Sequence, residues 1–111
     1  MTELVLRVIE RPTCDVVCLD GELDLATETR LRRACADLLQ RHHARIVMDV
    51  GGLDFCDCAG LAVLINVQGE AERQGGFLRL VGVHGPLARL LTAAELVDTF
   101  PPYSDLRQAC G

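Results

Sequence analysis

Strand-like and helix-like apolar patterns alternate along this 111-residue chain, and this alternation limits its possible folds more than any other feature. Apolar residues in alternation or in short runs predict strands, and apolar residues at three- and four-residue spacing predict helices. The chain therefore predicts one α/β domain over residues 1–111, a mixed β-sheet of four to five strands packed against about four α-helices. The predicted strands are 4–9, 13–19, 45–50, 77–83 and 97–100, and the predicted helices are 27–41, 58–73, a stretch opened by Gly85-Pro86, and 104–110.

Glycine dipeptides and similar turn signals set the predicted ends of these elements. Asp20-Gly21 is expected to end the second strand, and Gly51-Gly52 is expected to turn the chain after the apolar run 45–50. That run predicts a central strand covered on both faces. Gly75-Gly76 is expected to end the second helix.

Composition excludes several classes of function. The net charge is −5, lysine is absent and all eleven cationic side chains are arginine, whereas a nucleic-acid-binding surface needs a basic face. No uncharged apolar run approaches the ~18 residues of a membrane span, and the first residues lack the pattern of a secretory signal. We therefore expect a cytoplasmic protein that contacts neither nucleic acid nor membrane.

The six cysteines are expected to be reduced thiols, because the chain lacks an export signal and has enough apolar residues for a core. Cys14 and Cys18 lie at even spacing on a predicted strand and are expected to point together into the core. His42 and His43 follow a predicted helix and indicate a helix terminus rather than a metal site. The expectation is that no metal and no cofactor is bound.

The segment Asp57-Cys58-Ala59-Gly60 opens an apolar helix. Asp57 is a natural N-cap whose carboxylate can accept from the N–H of residue 59 or 60. Cys58 then takes the first helical position, where the helix dipole favours a thiolate, while Asp54 and Asp57 disfavour it, so the sign of the effect is open. Gly60 leaves room for the backbone of another chain.

Catalysis is not predicted. The nucleophile–base pairs worth testing are Cys58 with His84 or with His42, and nothing in their spacing brings them together. A phosphate-binding glycine loop of the P-loop or dinucleotide type is also missing.

Four segments, in the right order, resemble the STAS family of anti-sigma factor antagonists over residues 3–108. They are Gly21-Glu22-Leu23-Asp24, then 46–55, then the glycine pair and apolar positions of 75–91, and finally the apolar pair Val97 and Phe100. In addition, Asp57-Cys58-Ala59-Gly60 matches the family's switch loop, which usually reads Asp-Ser-Ser-Gly. Here Cys58 takes the place of the serine that is phosphorylated, and Ala59 takes the place of its neighbour.

The resemblance implies a module that binds a serine-kinase anti-sigma factor and so frees a sigma factor. In the family, the kinase phosphorylates the serine after the loop aspartate and thereby ends binding. With Cys58 at that position, we expect an antagonist or scaffold without the usual off-switch, and equally consider a relative that lost its kinase partner. The expected partner-binding residues are Asp24, Thr27, Asp57, Cys58, Ala59 and Gly60.

Two other classes stay open. Self-association through the edge strand 4–9 would give a scaffold or a weak homodimer. A thiol sensor would use Cys58 with Cys56, although two cysteines so close at a strand–helix junction could bond only with strain.

Overall fold

Four strands form one mixed sheet in the order β1-β2-β3-β4. The computed structural model describes residues 3–111, and the strands are β1 (Leu4–Glu10), β2 (Asp15–Leu23), β3 (Arg45–Cys56) and β4 (Phe77–Val81). β1 is antiparallel to β2, while β2, β3 and β4 are parallel to one another. Residues 3–111 also contain four helices: α1 (Glu28–Gln40), α2 (Cys58–Arg73), α3 (Gly85–Ala93) and α4 (Leu106–Cys110). The predicted α/β class and the numbers of strands and helices are confirmed.

Both faces of the central strand β3 are buried, as its apolar run predicts. Ile46, Val47 and Met48 have no exposed surface. Ile46 and Met48 belong to the large core under α1, α2 and α3, and Val47 belongs to a smaller cluster on the opposite face. The helix α4 closes that smaller cluster with Ala109, which is fully buried. Among residues 3–111, no helix is long and apolar enough to cross a membrane.

Strands β2 and β3 continue past the glycines that were expected to end them. Gly21 pairs with Leu53 inside the sheet, and Gly52 pairs with Asp20. A side chain at Gly52 would collide with the side chain of Asp20 and the carbonyl of Leu19. The glycines therefore let the two strands lie close together at an irregularity in the pairing. They do not form the predicted turns.

The predicted short strand at residues 97–100 is wrong. This segment forms turns, with the N–H of Phe100 donating to the carbonyl of Leu96 (2.9 Å). Phe100 is buried in the main core, so its apolar character reflects an anchor in a loop. The sheet is reached only at Tyr103, through an isolated parallel bridge to Val81.

The expectation that all six cysteines are reduced is also wrong. Cys14, just before β2, and Cys110, in the last turn of α4, form a disulfide with a Cα–Cα distance of 5.9 Å. They are 96 positions apart in sequence, and only the folding of α4 under the sheet brings them together. Cys18 lies on the same face and packs against this cluster, as the even spacing predicts.

Candidate functional site

The carboxyl ends of β2 and β3 lie side by side and place the two predicted site segments next to each other. Leu23 at the end of β2 pairs with Cys56 at the end of β3. The carbonyl of Leu23 then accepts a hydrogen bond from the N–H of Asp57 (3.1 Å). The turn 24–27 and the start of α2 therefore leave the sheet from adjacent positions.

A compact set of hydrogen bonds organises the turn before α1. One carboxylate oxygen of Asp24 accepts from the N–H groups of Ala26 (2.9 Å) and Thr27 (3.1 Å). The Thr27 hydroxyl accepts from the N–H of Asp24 (3.0 Å) and donates to the carbonyl of Glu22 (2.8 Å). Both side chains are buried. Asp24 and Thr27 therefore shape this turn from inside, and Thr27 occupies the N-cap position of α1 without a side-chain cap hydrogen bond.

Asp57 links the two segments. Its Oδ1 accepts from the N–H of Gly60 (3.0 Å), which is the predicted N-cap interaction at the start of α2. Its Oδ2 accepts from the N–H of Leu25 (3.2 Å) in the neighbouring turn. Because both oxygens are used, this one carboxylate fixes the position of α2 relative to the β2–α1 turn.

The next three residues differ sharply in their exposure. Cys58, the first residue of α2, is exposed, Ala59 is half-buried and Gly60 is buried. A Cβ at Gly60 would lie 2.7 Å from Cγ of Leu23 and 3.1 Å from Sγ of Cys56. The room left by Gly60 is thus filled by its own chain, and a partner contact at Gly60 stays a prediction.

The two cysteines flanking Asp57 have different chemistry. The Cys56 thiol is buried and donates weakly to the carbonyl of Asp57 (3.5 Å). Burial, with smaller contributions from Asp57 and Cys58, raises the pKa of Cys56 to about 12. Cys56 is therefore protonated and unreactive at neutral pH, whereas the Cys58 thiol faces solvent.

Among residues 3–111, neither histidine forms a hydrogen bond with Cys58. His84 Nε2 hydrogen-bonds to the carbonyl of Gly51 (2.9 Å). His42 lies just before the start of β3, whereas Cys58 lies just after the end of β3, so the length of this strand separates them.

An apolar groove beside Cys58 is the feature that sequence analysis missed. It has a volume of about 450 Å³ and lies between the start of α2 and the exposed side of α3. We call it the Phe55 groove; its lining residues are Phe55, Cys56, Asp57, Cys58, Pro86, Arg89, Leu90 and Ala93. Phe55 is 43% exposed, and Leu25 in the adjacent turn is 76% exposed. The sequence does show these apolar residues at a strand end and in a turn. The pattern of apolar residues alone, however, cannot distinguish an exposed apolar side chain from one in the core.

The sequence of the chain matches the STAS domain over residues 6–109. The chain belongs to the STAS domain family. An anti-sigma F factor antagonist of Paenibacillus polymyxa is 31% identical to this STAS domain over 91 residues, covering 81% of this chain and 78% of the relative. The anti-sigma-F factor antagonist RsfA of Mycobacterium tuberculosis is 30% identical over 95 residues, covering 80% and 71%.

Solved structures agree with this STAS fold. An anti-sigma factor antagonist from Mycobacterium paratuberculosis superimposes with a TM-score of 0.84 at 25% identity, covering 96% of this chain and 91% of its own. The phosphorylated form of the Bacillus cell fate determinant SpoIIAA superimposes with a TM-score of 0.73 at 18% identity, covering 95% of both chains. At the latter identity the likeness shows the fold alone.

Proposed function

We propose that this STAS domain is a cytoplasmic anti-sigma factor antagonist that binds a serine-kinase anti-sigma factor, and that phosphorylation does not end this binding. The observation that carries the proposal is the exposed thiol of Cys58 at the first position of α2, where the family's switch loop usually has serine. The named relatives, which are antagonists of anti-sigma factors, support the partner class.

The start of α2 is held in place without any modification. Asp57 bonds to Gly60 in α2 and to Leu25 in the neighbouring turn. Asp24 and Thr27 fix that turn from below. A surface fixed before binding loses little conformational entropy when a partner docks, which favours affinity.

The Phe55 groove and Leu25 supply the apolar part of the proposed interface. Phe55 and Leu25 are large and exposed, and Leu90 lines the groove from α3. Arg89 and Asp57 line the same groove with opposite charges. Apolar anchors next to charged groups are typical of interfaces in which a few residues provide most of the affinity.

The proposed loss of the off-switch follows from the chemistry of the loop. A kinase that transfers phosphate to a hydroxyl finds a thiol at Cys58 and a methyl group at Ala59. The hydroxyl of Thr27, in the adjacent turn, is buried and already bonded to Glu22 and Asp24. Added phosphate would bring a charge of about −1.5 to −2 next to Asp57, and this chain avoids that change.

The test is co-elution of the purified domain with candidate serine-kinase anti-sigma factors, before and after incubation with ATP and magnesium. We expect a complex that persists after ATP and an unchanged intact mass. Cys58→Ser should gain one phosphate and be released. Ala59→Ser is the matched control, because it adds a hydroxyl one position away from the acceptor site and should remain bound and unmodified.

Stoichiometric phosphorylation of the native loop, or release by ATP without phosphate transfer, would refute the absence of an off-switch. Failure to bind any candidate kinase would refute the partner class.

A second pair of variants tests the surface itself. Phe55→Arg, which changes an exposed side chain of the groove (43%), should weaken the complex by more than ~10-fold, as expected for an apolar anchor. Val97→Arg is the matched control, because Val97 is also an exposed apolar side chain (46%) but lies outside the Phe55 groove. Equal effects of the two substitutions on affinity would show that the groove is not the interface.

Self-association is the second candidate, and the exposed edge of the sheet favours it. Val5 and Ile9 on β1 are 49% and 42% exposed. The edge is partly covered, because the Arg30 guanidinium donates to the carbonyl of Leu4. A mass that rises with concentration and returns to that of the monomer in Ile9→Lys would support a scaffold; a constant monomer mass would exclude it.

A thiol sensor would have to use Cys58 alone at neutral pH, since Cys56 is buried and protonated. Rapid, selective alkylation of Cys58 would support it, and slow labelling would dismiss it.

A further inference from the structure

Three side chains that can bind metal converge at the end of the sheet opposite Cys58. Glu10 ends β1, Asp15 begins β2, and His43 lies between α1 and β3. Their nearest ligand atoms all lie within 4.8 Å of one another. We propose that Glu10, Asp15 and His43 form a binding site for a divalent transition-metal ion of the zinc class, with water completing the coordination.

The distances between the ligand atoms fit such an ion. His43 Nδ1 lies 3.0 Å from Asp15 Oδ2 and 3.5 Å from Glu10 Oε1. Donors at about 2.0–2.2 Å from a zinc-like ion are about 3.0 Å apart at right angles and about 3.4 Å apart in a tetrahedron. The remaining pair of ligands is the two carboxylates. Bringing them to the same spacing requires movement of Glu10 only, whose side chain is 54% exposed.

The buried carboxylate of Asp15 favours the binding of a cation at this site. Its side chain is only 7% exposed, and the side-chain group bonded to it is the His43 imidazole. Burying a carboxylate is unfavourable unless it is hydrogen-bonded or paired, so a cation next to Asp15 would be stabilising. A divalent metal ion bound by both residues supplies a positive charge there and uses the His43 imidazole as ligand.

Space for the missing ligands is present. A cavity of about 210 Å³ adjoins Asp15 and His43 and is also lined by residues of the β1–β2 turn. A water molecule takes about 30 Å³, so the cavity has room for the one water that completes a tetrahedral site with three protein ligands, and for more if the ion takes a higher coordination number.

Arg41 would compete with a metal ion for the carboxylate of Glu10. Its Nη1 lies 3.2 Å from Glu10 Oε1, and its Nη2 lies 3.0 Å from Asp37 Oδ2. Arg41 can therefore yield Glu10 to a metal ion and keep Asp37 as its partner. Because imidazole is among the ligands, zinc, cobalt and nickel fit better than calcium or magnesium, which prefer oxygen alone.

The test is a titration of the purified, oxidised domain with cobalt(II) chloride, followed by visible absorption and by the thermal midpoint. We expect one bound ion per chain, absorption without a thiolate charge-transfer band, and a midpoint that rises with cobalt concentration. His43→Gln and Asp15→Asn should weaken binding by more than ~10-fold. Glu10→Gln, at an exposed position that should not affect folding, should also weaken it.

His84→Gln is the matched control, because the His84 imidazole bonds to the carbonyl of Gly51 and lies outside both the cluster and the cavity. It should bind cobalt as the native chain does. Three results would each overturn the proposal: no saturable binding by the native chain, a thiolate band that places the ion on a cysteine such as Cys58, or unchanged binding in His43→Gln and Glu10→Gln.

Discussion

Removing the Cys14–Cys110 disulfide should strongly destabilise the domain. The two residues are 96 positions apart, so the bond closes a loop of nearly the whole chain. In the chain-entropy account, a loop of about 100 residues restricts the unfolded state by about 4.7 kcal/mol. Unfolding free energies of domains are roughly 5–15 kcal/mol, so this bond accounts for a large share. At about 4 °C per kcal/mol, the thermal midpoint should fall by roughly 20 °C.

Urea denaturation of three samples measures this effect: the oxidised chain, the same chain in reductant, and the double variant Cys14→Ser/Cys110→Ser. Thiol alkylation in denaturant should count four free thiols in the oxidised chain and six after reduction. Cys18→Ser is the control, since it lies beside the bond on the same face and leaves the bond intact.

A difference below about 1 kcal/mol between the oxidised and reduced chains would refute the entropic reasoning, because a loop of this length cannot have so small an effect in that account. Six free thiols without reductant would refute the bond itself.

Three further predictions concern the start of α2 and the buried thiols. Gly60→Ala should destabilise the domain by ~1–3 kcal/mol, because its Cβ would lie 2.7 Å from a neighbouring side chain. In the same helix, a Cβ at Gly69 would make an ordinary contact with Arg73 Nη1 (3.6 Å), so Gly69→Ala should stabilise the domain by ~0.5–1 kcal/mol. Urea denaturation measures both changes. Iodoacetamide at pH 8 should label Cys58 but not Cys35 or Cys56, whose pKa burial raises to about 12, as peptide mass spectrometry will show; early labelling of either buried thiol would contradict this. The pKa of Cys35 and Cys56 is about 9 in the unfolded chain, so the unfolded chain loses their thiol protons at lower pH than the folded chain does. The free energy of unfolding should therefore fall as pH rises from about 9 towards 12. A free energy of unfolding that does not change over that range would count against the raised pKa of the two thiols.

Patterns that depend on neighbouring residues predicted the helices well. The apolar stripe of α1 and the N-cap Asp57 gave helix bounds within one or two residues of those observed, since capping and amphipathic spacing are local. The strands were harder, because the same glycine signal marks a turn or a close approach of two strands. Only the pairing of Gly21 with Leu53 distinguishes the two cases.

The partner-binding residues stay a prediction, and the sequence did not reveal what surrounds them. The resemblance to the family identified Asp24 and Asp57, and the structure adds that the Asp57 carboxylate reaches the N–H of Leu25. The Phe55 groove depends on how α3 packs beside α2, which no local pattern encodes. The disulfide escaped prediction for the same reason, since its cysteines meet only after α4 has folded under the sheet.

The position of Cys110 has a practical consequence for measuring partner binding. Its disulfide fixes the last turn of α4 beside Cys14, at the start of β2, whereas the Phe55 groove lies beyond the end of that strand. The nine residues of β2 separate these points by about 26 Å. A biosensor tether or a fluorescent domain attached after Gly111 would therefore extend from the far end of the molecule, leaving the groove accessible to a protein in solution.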